Sequence, residues 1–172
     1  MSPRIARSVS IALLGGVVTV VLFGLGLLVW AGLIGWAAFI DAGDDAAALK
    51  KTVVATVFGA SLAWGALVAT RLIPVPPDNW LWMLRAGVAV AITLWILVVA
   101  TQVPLLSRVS TSLYGYAAMF GAFAMEIEEM TGLERLTSLH LYNPFFTVVF
   151  SIVIGAVFGL LSGKLTGALS KA

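Results

Sequence analysis

An all-α fold set in a membrane is predicted by three features of this sequence: its apolar composition, the spacing of its charges and a motif that occurs twice. Of 172 residues, 61% are hydrophobic and 10% charged, which leaves too little polar surface to cover a soluble domain of that size. The charges cluster between long neutral blocks, and at about 1.5 Å per helical residue against a hydrocarbon core of about 30 Å these blocks convert into membrane helices. The stretch Gly32 to Ala42, G-L-I-G-W-A-A-F-I-D-A, aligns without a gap on Ser112 to Ala122, S-L-Y-G-Y-A-A-M-F-G-A. Leu33, Gly35, Ala37, Ala38 and Ala42 meet identical residues, and Trp36 meets Tyr116.

The neutral block from Ser8 to Ile40 amounts to roughly 50 Å of helix, too long for one crossing and short for two. A first helix from about Ile5 to Phe23 is therefore predicted to break at Gly24 and Gly26, where glycine permits a tight turn. A second runs from about Leu27 to Asp41 and carries the first copy of the motif. Asp41, Asp44 and Asp45 make an acidic exit before a third helix, about Leu49 to Leu72. Pro74, Pro76 and Pro77 form a stiff loop, and Trp80 and Trp82 beside Arg85 read as an interfacial anchor. A fourth helix, about Leu84 to Val103, ends at Pro104. The fifth, about Leu105 to Met125, carries the second copy. An acidic connector from Glu126 to Asn143, able to form a short surface helix, leads to a sixth, about Pro144 to Leu169, with Pro144 well suited to its first turn.

The third and sixth helices correspond as well: T-V-V opens them at Thr52 and Thr147, and glycine-alanine pairs follow at Gly59 and Gly155. The chain thus reads as one membrane domain over 1–172, with repeat 1 about 5–72 and repeat 2 about 84–169. Three helices per half predict six membrane helices in an inverted 3+3 repeat. The alternative is four spans plus two re-entrant half-helices, which makes the repeats parallel. Six crossings with the amino terminus inside place Arg4, Arg7, Lys50, Lys51, Arg108, Lys164 and Lys171 in the cytoplasm and the remaining three Lys and Arg outside; four crossings divide them six to four. The positive-inside rule favours six crossings, with both termini cytoplasmic in a bacterial cytoplasmic (inner) membrane. Arg4 and Arg7 before an apolar run look like the opening of a signal peptide, but cleavage would remove part of the repeat, so the segment is expected to stay.

Many function classes are excluded by composition. Without cysteine there is no disulfide, thiolate metal site or iron-sulfur ligation. The pI near 9.2 reflects orienting charges rather than a nucleic-acid surface, since no basic patch with interleaved aromatics is present. His140 is the single histidine, too few for bis-histidine haem or a histidine metal cluster; it reads as structural, with a pH gate as the sharper alternative. No lysine lies deep in a span to form a Schiff base. Ser61 and Ser151 are intramembrane hydroxyls expected to bond the preceding turn. No catalytic residue, metal or cofactor is expected, and the protein is read as a non-enzyme.

Gly155, Gly159, Gly163 and Gly167 recur at i, i+4 and make a smooth face for close helix packing, echoed by Gly59 between Ala55 and Ala63. Contact between the third and sixth helices is one reading of that face, and a subunit interface the other. Trp30, Gly32, Gly35 and Trp36 in the first motif and Tyr114, Gly115, Tyr116 and Phe120 in the second are candidates for a solute path, glycines making room and rings forming walls. The plainer alternative is that these glycines allow close crossing and the aromatics fill the core or face lipid. Asp41 is a candidate mouth residue or a solvated helix end. Glu126, Glu128 and Glu129 read as a solvated connector. The expected function is a small-solute channel or facilitator that passes a neutral or weakly polar molecule passively, because no intramembrane charge is available to couple ions. A non-transporting membrane subunit that docks a partner through its glycine faces is the alternative. The expected partners are the lipid bilayer, a small neutral solute and further copies of the chain.

The stretch W-A-G-L-I-G-W-A-A-F at Trp30 to Phe39, the short charged loop with Gly43, and the glycine-rich third and sixth helices resemble the YcdZ-like family of small bacterial inner-membrane proteins, domain of unknown function 1097. The resemblance covers most of the chain, although the acidic connector is longer than the family's. It implies an integral inner-membrane protein and carries no assigned chemistry.

Overall fold

A computed structural model describes residues 1–72, 80–125, 133–140 and 143–171, and all the regular structure among them is helical. Seven α-helices follow in order: α1 (Pro3–Gly24), α2 (Val29–Ala42), α3 (Ala46–Leu72), α4 (Trp80–Val99), α5 (Val109–Met125), α6 (Leu133–Thr137) and α7 (Pro144–Lys171). Two 3-10 turns, Ala100–Gln102 and Pro104–Leu106, join α4 to α5. The prolines at 74, 76 and 77 and the carboxylates Glu126, Glu128 and Glu129 lie outside the described residues.

The helix ends follow local chemistry. Gly26 takes φ 66, the left-handed conformation that glycine adopts freely, and reverses the chain between α1 and α2. The Asp45 carboxylate accepts the Ala48 amide at 2.6 Å, a side-chain cap that starts α3 a turn before the predicted Leu49. Pro144 opens α7, where a missing amide costs nothing. The fourth helix starts at Trp80 rather than Leu84 and yields to 3-10 turns at Ala100, so the fifth begins at Val109 rather than Leu105.

Among the described residues, four helical segments are long and apolar enough to cross a membrane: Pro3–Gly24, Ala46–Leu72, Trp80–Gln102 and Pro144–Lys171. The expectation of six full crossings is met only to that extent. With 14 and 17 residues, α2 and α5 are about 21 Å and about 26 Å long, short of the hydrocarbon thickness.

The burial pattern repeats. The buried positions of α2 are Ala31, Gly32, Gly35, Trp36, Ala38, Phe39 and Ala42; those of α5 are Thr111, Ser112, Gly115, Tyr116, Ala118, Met119 and Ala122, each eighty residues later. Every buried position of α7, from Pro144 to Ser162, falls ninety-six residues after a buried position of α3. That register pairs Gly59 with Gly155 and leaves the two T-V-V runs one position out of step. Packing is set by the glycines, which decide how close two backbones come.

The two motif helices exchange partners. In α2, a Cβ at Gly35 would fall on the backbone of Ile152, with its Cα 2.7 Å away; a Cβ at Gly155 would fall on Gly32, with its Cα 2.9 Å away. In α5, a Cβ at Gly115 would meet the Thr56 backbone, with its Cα 2.7 Å away, and one at Gly59 would meet Ser112 and, at 3.1 Å, the Tyr116 amide nitrogen. The α2–α7 and α3–α5 crossings are therefore the same joint, and each joins the motif helix of one half to the last helix of the other. The glycine face of α7 rests on α2, not on α3 as the spacing alone suggested. The helices α1 and α4 flank this core, α1 against α7 and α4 against α3.

Candidate functional site

Polar contacts gather the chain at two ends of the bundle. At one end the Arg7 guanidinium pairs with the Asp44 carboxylate at 3.1 Å. Nearby, Ser10 donates its hydroxyl to the Ser162 carbonyl at 2.8 Å, the Ser110 hydroxyl donates to the Asp41 carboxylate at 2.6 Å, and Arg108 donates to the Asp41 carbonyl. At the other end the Trp64 indole donates to the Leu136 carbonyl at 2.7 Å, Arg71 lies over the Phe123 ring at 5.2 Å, and Ser151 accepts the Leu28 amide at 2.9 Å. We call these the Arg7 end and the Arg71 end.

Each end holds a cavity. The cavity at the Arg7 end has a volume of about 170 Å³ and is lined by Arg7 and Ile11 of α1, Trp36 and Ile40 of α2, Asp44, and Gly159, Ser162, Gly163 and Thr166 of α7. The cavity at the Arg71 end, about 530 Å³, is lined by Ala66, Leu67, Thr70 and Arg71 of α3, Trp82, Arg85, Ala86 and Val90 of α4, and Phe120, Phe123 and Ala124 of α5. These are equivalent places. An interval of seventy-nine relates α1 to α4, setting buried Val18 on buried Leu97 and half-buried Leu14 and Gly15 on half-buried Thr93 and Leu94. With the intervals of eighty and ninety-six, Arg7 maps to Ala86, Ile11 to Val90, Ile40 to Phe120, Asp44 to Ala124, Ser162 to Ala66, Gly163 to Leu67 and Thr166 to Thr70, and all of these line their respective cavities.

The residues singled out by sequence divide between the joints and the cavities. Gly32, Gly35 and Gly115 sit at backbone crossings, so the room they make is taken by a neighbouring helix. Trp36 and Phe120 line one cavity each. Tyr116, the counterpart of Trp36, is buried, shares a hydrogen bond with the Thr93 hydroxyl at 2.8 Å and stacks on Phe120 at 5.3 Å. Tyr114 is half-buried. The half-buried Trp30 ring would lie 3.0 Å from a Cβ at Gly121, the counterpart of Asp41. Asp41 itself is a half-buried helix end tied to α5 by Ser110 and Arg108.

Along the stripe of α7, Gly155 meets backbone, Gly159 meets the Phe39 and Trp36 rings at 2.7 and 3.0 Å, Gly163 meets Asp44 at 3.8 Å, and Gly167 faces open space. Ser61 and Ser151 bond the carbonyls of Val57 and Thr147 in the preceding turn, as expected; the bond from the Leu28 amide to Ser151 joins two halves of the chain and had no local signal. His140 is exposed. Among the described residues, every fully buried polar side chain is a hydroxyl or an amide, and none is charged. No group of histidine, cysteine and acidic side chains among them could hold a metal.

These features define a class: an all-helical, membrane-type protein with four helices long and apolar enough to cross a bilayer. A family model matches residues 8–167 and is described as protein of unknown function (DUF1097). The chain belongs to that family. No curated protein and no solved structure matches it.

Proposed function

We propose that the protein is a small-solute channel or facilitator, and that the two equivalent cavities at opposite ends of the bundle are its two openings. That pairing is the observation that carries the reading, because a path related to itself by an inverted repeat presents one related vestibule to each side. In this reading the chain passes back and forth six times, α2 and α5 being short middle helices between long ones, and the halves form an inverted 3+3 repeat. Arg4, Arg7, Lys50, Lys51, Arg108, Lys164 and Lys171 belong to the Arg7 end, and Arg71, Arg85 and Arg135 to the other. That seven-to-three division supports a cytoplasmic Arg7 end with both termini inside a bacterial inner membrane. Among the described residues no fully buried side chain is charged, which supports passive movement of a neutral or weakly polar solute without ion coupling. Further copies of the chain are the proposed partners within the bilayer.

Stopped-flow swelling of proteoliposomes, with water and a panel of small neutral solutes, tests this reading. Thr166→Phe and Ala124→Phe narrow the two cavities without touching a helix crossing. Flux above that of empty liposomes, reduced several-fold by either substitution, is the expected result. No flux for any solute would abandon it in favour of the partner-docking subunit.

A further inference from the structure

We propose that the start of α5, where it lies against α3, is a binding site for a phosphoryl oxyanion, supplied by a phospholipid headgroup or by free phosphate. The inference is independent of the facilitator reading. The two helices run side by side in the same direction, with Gly115 on the backbone of Thr56. One turn earlier in both, Thr111 of α5 and Lys51 of α3 line a small cleft that Ser107 and Arg108 help to close.

Three side chains at this level point to a ligand. Among the described residues, the hydroxyls of Thr52, Thr111 and Ser112 are buried and have no hydrogen-bond partner. Other hydroxyls in this fold bond a carbonyl one turn back, as Thr56, Ser61 and Thr93 do. Thr111 has no such turn behind it, because α5 begins only at Val109. A buried hydroxyl without a partner costs free energy, and native proteins meet such groups with a water or a ligand. The joint itself has no use for them: the equivalent positions at the α2–α7 crossing are Val148, Ala31 and Gly32.

Charge selects the ligand. Lys51 and Arg108 put two cations on the cleft, and the start of a 17-residue helix adds the partial positive charge of its amides. The nearby Asp41 is engaged by α5, its carboxylate accepting from Ser110 and its carbonyl from Arg108. An arginine has five N–H donors, so one bond to Asp41 leaves Arg108 able to bind an anion. A metal cation is disfavoured here, whereas hydroxyls that donate suit an oxyanion. The cleft measures about 10 Å³, room for one water-sized atom. It therefore admits a single phosphoryl oxygen beside Thr111, while the rest of the group stays between Lys51 and Arg108, whose side chains are exposed.

Thermal unfolding of the purified chain in a neutral detergent at constant ionic strength tests the site, since a ligand that binds the folded state raises the midpoint. The probes are dioleoylphosphatidylglycerol, dioleoylglycerol with the same acyl chains and no phosphate, and inorganic phosphate against chloride. A rise of several degrees with phosphatidylglycerol or with inorganic phosphate is expected, and Lys51→Gln and Thr111→Val should each lose most of it. A response to phosphatidylglycerol alone assigns the lipid headgroup; a response to inorganic phosphate assigns the free ion. Thr111→Val keeps the side-chain shape, so without ligand its midpoint should be unchanged or higher, and a lost response is then not a lost fold. Lys171→Gln, at the far end of α7, should respond like the native chain. No response to either phosphate probe, an equal response to dioleoylglycerol, or a response that survives Thr111→Val would overturn the proposal, the last because the hydroxyl then meets only water. Loss of the response in Lys171→Gln would overturn it as well, by showing a general charge effect.

Discussion

The α2–α7 and α3–α5 crossings are one joint made twice from different surroundings. At the contact they agree: a glycine from the motif helix and a glycine from the last helix of the other half, each lying on the partner's backbone. Away from it they diverge. Trp36 packs among Val18, Leu22, Ile154 and Phe158, whereas Tyr116 reaches Thr93, and Arg7, Asp44 and Ser162 around one cavity correspond to Ala86, Ala124 and Ala66 around the other, which has Arg71 and Arg85 at positions of its own. The agreement marks what the architecture requires, since a helix backbone approaches this closely only where the residue facing it carries no Cβ. The divergence marks where the two ends can behave differently.

Filling the joints is the most severe way to break this comparison. Gly35→Leu and Gly115→Leu should each abolish folded protein, because the atoms in the way are backbone and cannot turn aside. Gly35→Ala and Gly115→Ala should each cost about 3 kcal/mol, the upper part of the overpacking range, read as thermal unfolding in detergent followed by size exclusion. One joint tolerating alanine while the other does not would end their equivalence. Both substitutions act on the fold before they act on any solute path, so loss of flux in them says nothing of a pore.

The stripe on α7 sharpens the point within one helix. Gly155→Ala should destabilise by about 2 kcal/mol or more, whereas Gly167→Ala, in open space, should stabilise by about 0.5 to 1 kcal/mol through its lower backbone entropy in the unfolded chain. Equal damage at both positions would place Gly167 against a second copy, an outcome that crosslinking at 167 would then reveal. The ties of the two outer helices come next. Tyr116→Phe removes one hydrogen bond and should cost about 1 kcal/mol in the same melt, the Thr93 hydroxyl keeping the carbonyls of its own helix; Ser10→Ala removes contacts to both the carbonyl and the hydroxyl of Ser162 and should cost about 1 to 2 kcal/mol. The smallest effect is expected of Arg7→Gln, under about 1 kcal/mol on unfolding for a partly exposed pair.

Much of the fold is legible in the chain. Gly24 and Gly26 mark the first break, Pro144 opens the last helix, and the two copies of the motif identify the elements that share a burial pattern. The missed boundaries have local causes. Asp45 reads as part of an acidic exit but caps α3, and the apolar stretch around Ala100 tightens into 3-10 turns that no periodicity distinguishes from α-helix. The site is less legible. Trp36 and Phe120 come from the motif, but Arg7, Asp44, Ser162 and Thr166 at one end, and Thr70, Arg71 and Phe123 at the other, meet only because helices distant in sequence pack together.

By itself the sequence determined that this is a helical membrane-type protein with a duplicated glycine and aromatic motif, because composition, neutral block length and repetition are properties of the chain alone. Only the tertiary structure decided what the glycines touch. A glycine states that something comes close without saying what, and here it is the last helix of the opposite half. From that exchange follow the two equivalent cavities, one lined by Arg7 and Asp44 and the other by Ala86 and Ala124 at the same places.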